Sequence, residues 1–163
     1  MKVLLLNGSP RKNGCTYTAL NVVADALKAE GIDAEVFQAG DPDMENVKAA
    51  AAKLKDSDAL VVGSPVYWAS PSGQIIEFMD RLASVAGKDM LYKPAAAVAS
   101  ARRAGTTATL DVLTKYFSYH QMPVVSSCYW NMVHGNTPEE VMKDEEGVQI
   151  MRVLGKNMAR LLK

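Results

Sequence analysis

Cysteine is scarce in this sequence, whose 163 residues include only Cys15 and Cys128. These two are far apart and form no Cys-x-x-Cys pair, which argues against a disulfide framework and against a cysteine-held metal cluster. No apolar run reaches the roughly 18 residues that a membrane helix needs. The apolar run that follows Met1 and Lys2 is too short for the core of a signal peptide. We therefore expect a cytoplasmic protein with no metal site and no membrane partner.

Net charge is also absent, because 18 Lys and Arg residues are balanced by 18 Asp and Glu residues. Nothing in this balance favours nucleic acid or an anionic membrane as a partner, and it also disfavours the strongly acidic surface of an electron carrier. The chain has no internal repeat, linker or low-complexity segment. Its length is near that of one ordinary domain, so residues 1–163 are predicted to form a single domain.

What the sequence does contain is a regular alternation of two patterns. Strands are predicted at Val3–Leu6, Ala34–Phe37, Ala59–Val62, Ala95–Ala99 and Met122–Ser126. Val3–Leu6 is a continuous apolar run, which is typical of a strand buried on both faces. Helical apolar spacing covers Thr16–Glu30, Met44–Lys55, Gly73–Val85, Thr109–His120 and Pro138 to about Leu162. This alternation predicts an α/β three-layer sandwich with a five-stranded parallel sheet. The favoured strand order is the flavodoxin-like 2-1-3-4-5, with a ligand crevice at the carboxyl ends of the first and third strands.

The first segment at that edge is Gly8–Thr16, which reads Gly-Ser-Pro-Arg-Lys-Asn-Gly-Cys-Thr. A strand, a polar turn and a helix start together form an anion site, because the N-terminus of a helix carries unpaired N–H groups and partial positive charge. Arg11 and Lys12 add full charge, and the two glycines allow a close backbone approach. We predict that this segment binds a phosphate; the alternative is a plain turn whose helix is capped by Asn13 or Thr16.

Several known site types do not match Gly8–Thr16. The pattern G-x-G-x-x-G is absent, and Gly14 is followed by Cys15 where a Walker motif has Lys. A phosphatase loop with a cysteine nucleophile needs Arg six residues later, where Asn21 stands. Cys15 is therefore interpreted as a small residue at a helix start. A receiver domain is disfavoured because the third strand ends in Gly63-Ser64, with no aspartate to accept a phosphoryl group.

Two further loops are predicted at the same edge. Ser64–Gly73 contains the adjacent aromatics Tyr67 and Trp68, which present flat surface with a hydrogen-bonding edge to a planar ligand, or else cover the core or a subunit contact. Ser100–Thr107 contains Arg102 and Arg103, which face either the pyrimidine edge of a cofactor or the phosphates of a dinucleotide, or else form a solvated charge pair. Thr106 or Thr107 is the expected cap of the helix that follows.

These residues resemble one known family. Ser-Pro-Arg-Lys-Asn-Gly-x-Thr is similar to the phosphate loop of the NADPH-dependent FMN reductase family. Ser-Pro-Val-Tyr-Trp-Ala-Ser-Pro-Ser-Gly-Gln, followed by Phe-Met-Asp-Arg-Leu, resembles the flavin-ring segment of that family, with a minor departure at Pro71. Iron–sulfur flavoproteins, which are relatives of the family, carry a cysteine cluster after the second strand. Residues 38–44 of this chain hold no cysteine, so no cluster is expected.

The resemblance implies bound FMN, NADPH or NADH as co-substrate, and a homodimer or homotetramer. The residues implied to hold the FMN phosphate are Ser9, Arg11, Asn13, Gly14, Cys15 and Thr16, with Cys15 contributing its backbone N–H. Those implied to surround the ring are Pro65, Val66, Tyr67, Trp68 and Ser70, with Gly105, Arg102 and Arg103 near the pyrimidine side.

The resemblance further implies that hydride passes from the nicotinamide through FMN to a quinone, a flavin or a similar small acceptor. The hard chemistry is then the cofactor's, and no side chain is predicted to act as acid or base. An electron carrier of the flavodoxin type, reduced by a partner protein, is the principal alternative, and a nucleotide-binding module without turnover is another. The stretch Cys128–Thr137 is predicted to line either an acceptor pocket or a subunit interface.

Overall fold

A computed structural model describes all residues from Met1 to Lys163. The strands are β1 (Lys2–Asn7), β2 (Asp33–Gln38), β3 (Ala59–Tyr67), β4 (Ser70–Pro71), β5 (Ala95–Ala101) and β6 (Met132–His134). The helices are α1 (Cys15–Ala29), α2 (Met44–Lys55), α3 (Gly73–Met90), α4 (Thr106–Tyr119), α5 (Pro138–Lys143) and α6 (Glu145–Leu162). None of these helices has both the length and the apolar character required to span a bilayer.

The sheet has the order β2-β1-β3-β5-β6, and all of these neighbours are parallel. This is the predicted flavodoxin-like order, with β5 and β6 as its fourth and fifth members. The additional strand, β4, pairs antiparallel with the end of β3 in a short hairpin. The sheet therefore has six strands, where the sequence predicted five.

Helices cover both faces of the sheet, which explains the unbroken apolar run Val3–Leu6 of the central strand β1. Along β1, Leu4 and Leu6 enter a core shared with α2, α3 and α4. Val3 and Leu5 point to the other face and enter a core shared with α1 and α6. Alternate residues of a strand face opposite sides, so a strand buried on both sides has no polar positions. The predicted three-layer architecture is confirmed.

The fifth strand is the main correction to the predicted elements. The run Met122–Ser126 makes only an isolated bridge, between Val124 and Ala95. The chain then leaves the sheet and returns to pair with β5 at Met132–His134. Pro123 has no N–H to donate to a ladder, which limits how far the earlier run can pair.

The predicted last helix is in fact two helices, α5 and α6, separated at Asp144. Asp144 has the extended ψ of 80°, and its carboxylate accepts a hydrogen bond from Gly147 N as the cap of α6. The start of α4 also differs from the prediction. Its N-cap is Gly105 in the left-handed conformation, and neither Thr106 nor Thr107 caps it.

Candidate functional site

Three loops meet at the carboxyl edge of the sheet and enclose a cleft of about 180 Å³. They are the first loop (residues 8–14), the β3–β4 hairpin (residues 65–71) and the arginine loop (residues 102–105). The cleft is lined by Ser9, Arg11, Cys15, Thr16, Pro65, Val66, Tyr67, Ser100, Ala101, Arg102, Gly135 and Asn136. Parallel α/β sheets bind ligands at this edge, where strand order reverses between β1 and β3.

The first loop is held in shape from below by Asn7 and Gln38. The fully buried Asn7 accepts from Ser9 N through Oδ1, and its Nδ2 donates to Lys12 O at 3.2 Å and to Gln38 Oε1 at 2.7 Å. Gln38 Nε2 in turn donates to Ser9 O at 2.7 Å. The loop is therefore preorganised by side chains from the ends of β1 and β2. The sequence prediction missed both, although each is the polar residue at the carboxyl end of its strand.

The first loop leads into α1, whose N-terminus has no side-chain cap. Gly14 is the N-cap, and the N–H groups of Cys15, Thr16 and Tyr17 make no hydrogen bond within the chain. No acidic residue lies in the first turn of α1. The alternative of a turn capped by Asn13 or Thr16 is wrong. Unpaired N–H groups at a helix start attract an anion.

Positive charge around the cleft is unneutralised. Arg11, Lys12, Arg102 and Arg103 form none of the chain's ion pairs, which lie elsewhere on the surface or between His134 and Asp144. Each of the four is exposed. Free guanidinium groups beside an uncapped helix start suit a phosphate, which accepts bidentate hydrogen bonds from arginine.

Cys15 lies in this cationic region but is not an activated thiol. Burial raises the pKa of the Cys15 thiol, and this effect outweighs the lowering by the residue's own nearby backbone N–H and by Arg11. The Sγ atom lies 3.6 Å from Gly135 O and donates to it. The interpretation of Cys15 as a structural residue at a helix start agrees with these contacts.

The β3–β4 hairpin carries the exposed aromatics to the mouth of the cleft. Its two turn residues, Trp68 and Ala69, have positive φ values of 51° and 57°. Such a turn usually contains Asn-Gly, and non-glycine residues in this conformation cost of the order of 1 kcal/mol each. Trp68 is 100% exposed and Tyr67 39% exposed. Trp68 is not buried within the chain, so no packing of its side chain offsets the backbone strain. This favours a role for Trp68 in contact with another molecule.

Hydrogen bonds join the base of the hairpin to the first loop. Ser72 Oγ donates to Gly8 O at 2.8 Å, and Ser72 N donates to Ser64 Oγ at 3.0 Å. Gly105 in the arginine loop, with φ of +99°, packs so close to the hairpin that a Cβ there would lie 2.6 Å from Ala69 Cα. The three loops therefore form one packed unit, and Gly105 permits close approach of the hairpin.

The structure divides the predicted site residues into two groups. Those that line the cleft are Ser9, Arg11, Cys15, Thr16, Pro65, Val66, Tyr67 and Arg102. Those on the same loops but outside its lining are Asn13, Gly14, Trp68, Ser70, Arg103 and Gly105. Ser100, Ala101, Gly135 and Asn136 line the cleft and were missed. Ser100 and Ala101 end an apolar strand, and Gly135-Asn136 follows β6, a strand that the sequence did not reveal.

The stretch Cys128–Thr137 also splits between two places. Gly135 and Asn136 belong to the cleft, whereas the segment 128–131 lines a separate groove of about 440 Å³ with α4 residues such as Leu110 and Thr114. Tyr129 and Trp130 stack edge to face there, with ring centroids 4.6 Å apart. The stretch therefore contributes two residues to the cleft and four to a surface outside it.

These residues fit a phosphate-bearing planar cofactor such as FMN. The free N–H groups of α1 and the charge of Arg11 match a phosphate, and the exposed hairpin aromatics match a flat ring. An iron–sulfur cluster has no comparable site, because a cluster is held by several thiolates and the chain has two cysteines.

Comparison with known proteins agrees with this arrangement. The family model described as NADPH-dependent FMN reductase matches residues 1–137. An iron–sulfur flavoprotein of Methanocaldococcus jannaschii is 29% identical, with 100% of this chain and 98% of the relative covered. An NADPH azoreductase of a Bacillus species is 30% identical over 62% of this chain and 59% of its own. A flavodoxin from the domain Archaea superposes with a TM-score of 0.74 at 18% identity, with 99% of both chains covered.

Proposed function

The chain belongs to the NADPH-dependent FMN reductase family, and from this premise we propose that it is an FMN-dependent NAD(P)H oxidoreductase whose acceptor is a small molecule. One observation carries the proposal. The uncapped start of α1 and the unpaired side chains of Arg11 and Arg102 face the same cleft, beside a strained hairpin that exposes Tyr67 and Trp68. A phosphate anchor next to a flat apolar platform suits FMN better than a nucleotide without a large ring system.

FMN, when bound, would supply the redox chemistry that links a nicotinamide to the acceptor. The chain's own residues bind and orient. The N–H groups of Cys15 and Thr16, with Arg11, hold the phosphate, and Asn7 and Gln38 keep the loop in the binding shape before the ligand arrives. Arg102 places positive charge at the cleft, where it stabilises negative charge on the ligand.

No side chain is assigned as a proton donor or acceptor. Burial raises the pKa of the Cys15 thiol, and the thiol is turned toward Gly135 O. Quinones, free flavins and azo compounds are the acceptor classes we propose, the last because one relative is an NADPH azoreductase. All three are planar and conjugated, so they can stack in turn with the nicotinamide over one ring face.

We propose that the protein acts as a homodimer or homotetramer. The exposed Trp68, Tyr92, Tyr119 and Trp130 are large apolar side chains that a monomer leaves in water. Light scattering coupled to size-exclusion chromatography measures the mass directly. A mass of about one chain (17.6 kDa) would contradict this part of the proposal.

An absorption spectrum of the purified protein tests the function. We expect bound flavin near one equivalent per chain and anaerobic bleaching on addition of NADPH or NADH, with the colour returning when a quinone is added. A protein that takes up no FMN would refute the proposal. Bound FMN that no nicotinamide bleaches would favour the electron carrier, the alternative that needs a partner reductase.

A further inference from the structure

His134 lies at the end of β6, between the arginine loop and the start of α6. Its backbone N–H donates to Asp144 Oδ2 at 2.7 Å, and its ring atom Nδ1 lies 3.8 Å from the same oxygen. On the other side of the ring, Nε2 lies 3.2 Å from the carbonyl oxygen of Arg103. His134 therefore links a helix cap, through its backbone N–H, to an exposed loop at the rim of the cleft, through its ring.

This bridge is the main hydrogen-bonded tether of the arginine loop. At one end of the loop Ala101 O accepts from Gly135 N, and at the other Gly105 O accepts from Thr109 N. Between these points Arg103 O is the one atom of residues 102–104 that makes a hydrogen bond within the chain. The same three residues are exposed. A segment with so few contacts moves readily unless it is tethered.

The chemistry of the contact fixes the roles of its atoms. A carbonyl oxygen only accepts, so Nε2 must carry the proton that it donates to Arg103 O. Asp144 is itself fixed, because its Oδ1 accepts from Gly147 N at 3.0 Å. The ring atom Nδ1 lies beyond hydrogen-bond distance of this carboxylate, so the contact of Nε2 with Arg103 O is the one hydrogen bond that the ring makes.

Resting on the proposed function, we propose that His134 is a positioning residue that holds the arginine loop in place for the phosphates of the nicotinamide co-substrate. The FMN phosphate anchor does not depend on His134, since the first loop is held by Asn7, Gln38 and α1. Arg103 is exposed, unpaired and outside the cleft lining, so its guanidinium is free for a second anion that arrives from solvent. His134 acts on that guanidinium through the backbone of Arg103.

Steady-state kinetics of His134→Ala with NADPH test the proposal. We expect KM for NADPH to rise about tenfold, the value of one lost hydrogen bond, with kcat changed less than about twofold and FMN affinity unchanged. His134→Gln keeps an N–H donor on a side chain of similar reach and should restore most of the loss. Arg103→Ala should raise KM similarly, and the double variant His134→Ala/Arg103→Ala should be no worse than Arg103→Ala alone. Additive effects would overturn the proposal.

Limited trypsin digestion provides a readout that does not depend on turnover. In His134→Ala, cleavage after Arg102 and Arg103 should accelerate about tenfold as the tether is lost. Cleavage after Arg11 and Lys12, which are also exposed but lie on the first loop, is the control within the same digest and should not change. Unchanged cleavage of the arginine loop would overturn the tether.

The outcomes separate this proposal from the one on which it rests. Wild-type protein that binds FMN but oxidises neither NADPH nor NADH would refute the proposed function. Normal turnover with an unchanged KM in His134→Ala would refute the role of His134 alone. Faster loop cleavage without a change in KM would also refute it, because the loop would then be tethered without serving the co-substrate.

Discussion

Thr16 Oγ1 and Ser100 Oγ lie 2.7 Å apart, and their hydrogen bond joins the first turn of α1 to the end of β5. Thr16 is 1% exposed and Ser100 4% exposed, and both line the cleft. One follows the first loop and the other precedes the arginine loop. This buried bond therefore fixes the spacing between the two loops that carry the unpaired positive charge.

Thr16→Val tests that relationship, because valine keeps the shape of threonine and removes the hydroxyl. The free energy of unfolding should fall by about 1–3 kcal/mol, since Ser100 is left buried without its partner. Urea unfolding followed by circular dichroism measures the change. A double-mutant cycle with Ser100→Ala is the control. The two losses should be less than additive, and strict additivity would show that the hydroxyls do not interact.

Arg11→Ala tests the phosphate anchor. FMN affinity should weaken by roughly 1.5–3 kcal/mol if the guanidinium makes a charged hydrogen bond to the phosphate. Fluorescence titration with FMN measures the affinity. Riboflavin, which lacks the phosphate, is the control ligand, and its affinity should be the same for wild type and variant. Equal weakening for both flavins would place Arg11 against the ring and would contradict the assignment.

Most of the fold could be predicted from the sequence, because the pattern of apolar and polar residues indicates which faces of a strand or helix are buried. A strand such as β1 is buried on both faces and reads as an unbroken apolar run, and an amphipathic helix such as α2 reads as a periodic one. The position of β6 does not follow in this way. Met132-Val133 is too short to stand out, and its pairing with β5 depends on contacts such as that of His134 N with Asp144, ten residues later.

The site was predictable where its chemistry is local. The first loop, the hairpin aromatics and the arginine pair are contiguous motifs, so the sequence identified them. Asn7 and Gln38 bond each other 31 residues apart, and Ser100 bonds Thr16 across 84 residues, so these residues act across the fold. Gly135 and Asn136 reach the cleft because β6 does. The backbone strain at Trp68 could not be predicted from the sequence, because Trp-Ala is not a dipeptide that indicates positive φ values.

Gly105→Ala tests the contact between the arginine loop and the hairpin. A Cβ at this position would lie 2.6 Å from Ala69 Cα and 2.8 Å from Val66 Cγ1, and φ is +99°. We expect a loss of about 2–4 kcal/mol of unfolding free energy, from strain and overlap together. Gly31→Ala is the matched control, with φ of +78° and nothing within 4 Å of the new Cβ. It should lose only about 1 kcal/mol, from backbone strain, and an equal loss in both variants would contradict the close packing at Gly105.

The ion pairs of Glu35 predict a dependence of stability on pH. A hydrogen bond from Lys53 is the largest influence that lowers the pKa of Glu35, and Lys2 also contributes. A carboxyl group whose pKa is lower in the folded than in the unfolded protein stabilises the folded state at pH values above its pKa in the unfolded protein. That stabilisation is lost as the pH falls through the pKa of the group in the folded protein. Glu35 is partly exposed, so Glu35→Gln should cost only roughly 0.2–1 kcal/mol near neutral pH and nothing in strong acid. Urea unfolding at a series of acid pH values measures the free energy of unfolding of the wild type and of Glu35→Gln. Glu45→Gln is the control, because it removes a more exposed carboxylate that pairs with Lys48.

The two cysteines should differ in their reaction with iodoacetamide, because the thiolate is the reactive form. Cys15 is half-buried in the cleft, with its pKa raised by burial and its thiol turned toward Gly135 O, whereas Cys128 is exposed. At mildly alkaline pH, Cys15 should be alkylated about tenfold more slowly than Cys128 or slower still. Mass spectrometry of Cys128→Ser and Cys15→Ser, each with a single thiol, measures the two rates.

Added FMN should slow the reaction of Cys15 further and leave the reaction of Cys128 unchanged, since only Cys15 lines the proposed phosphate site. A Cys15 that reacts faster than Cys128 would mean an activated thiolate in the cleft, and the assignment of this residue to a structural role would then be wrong.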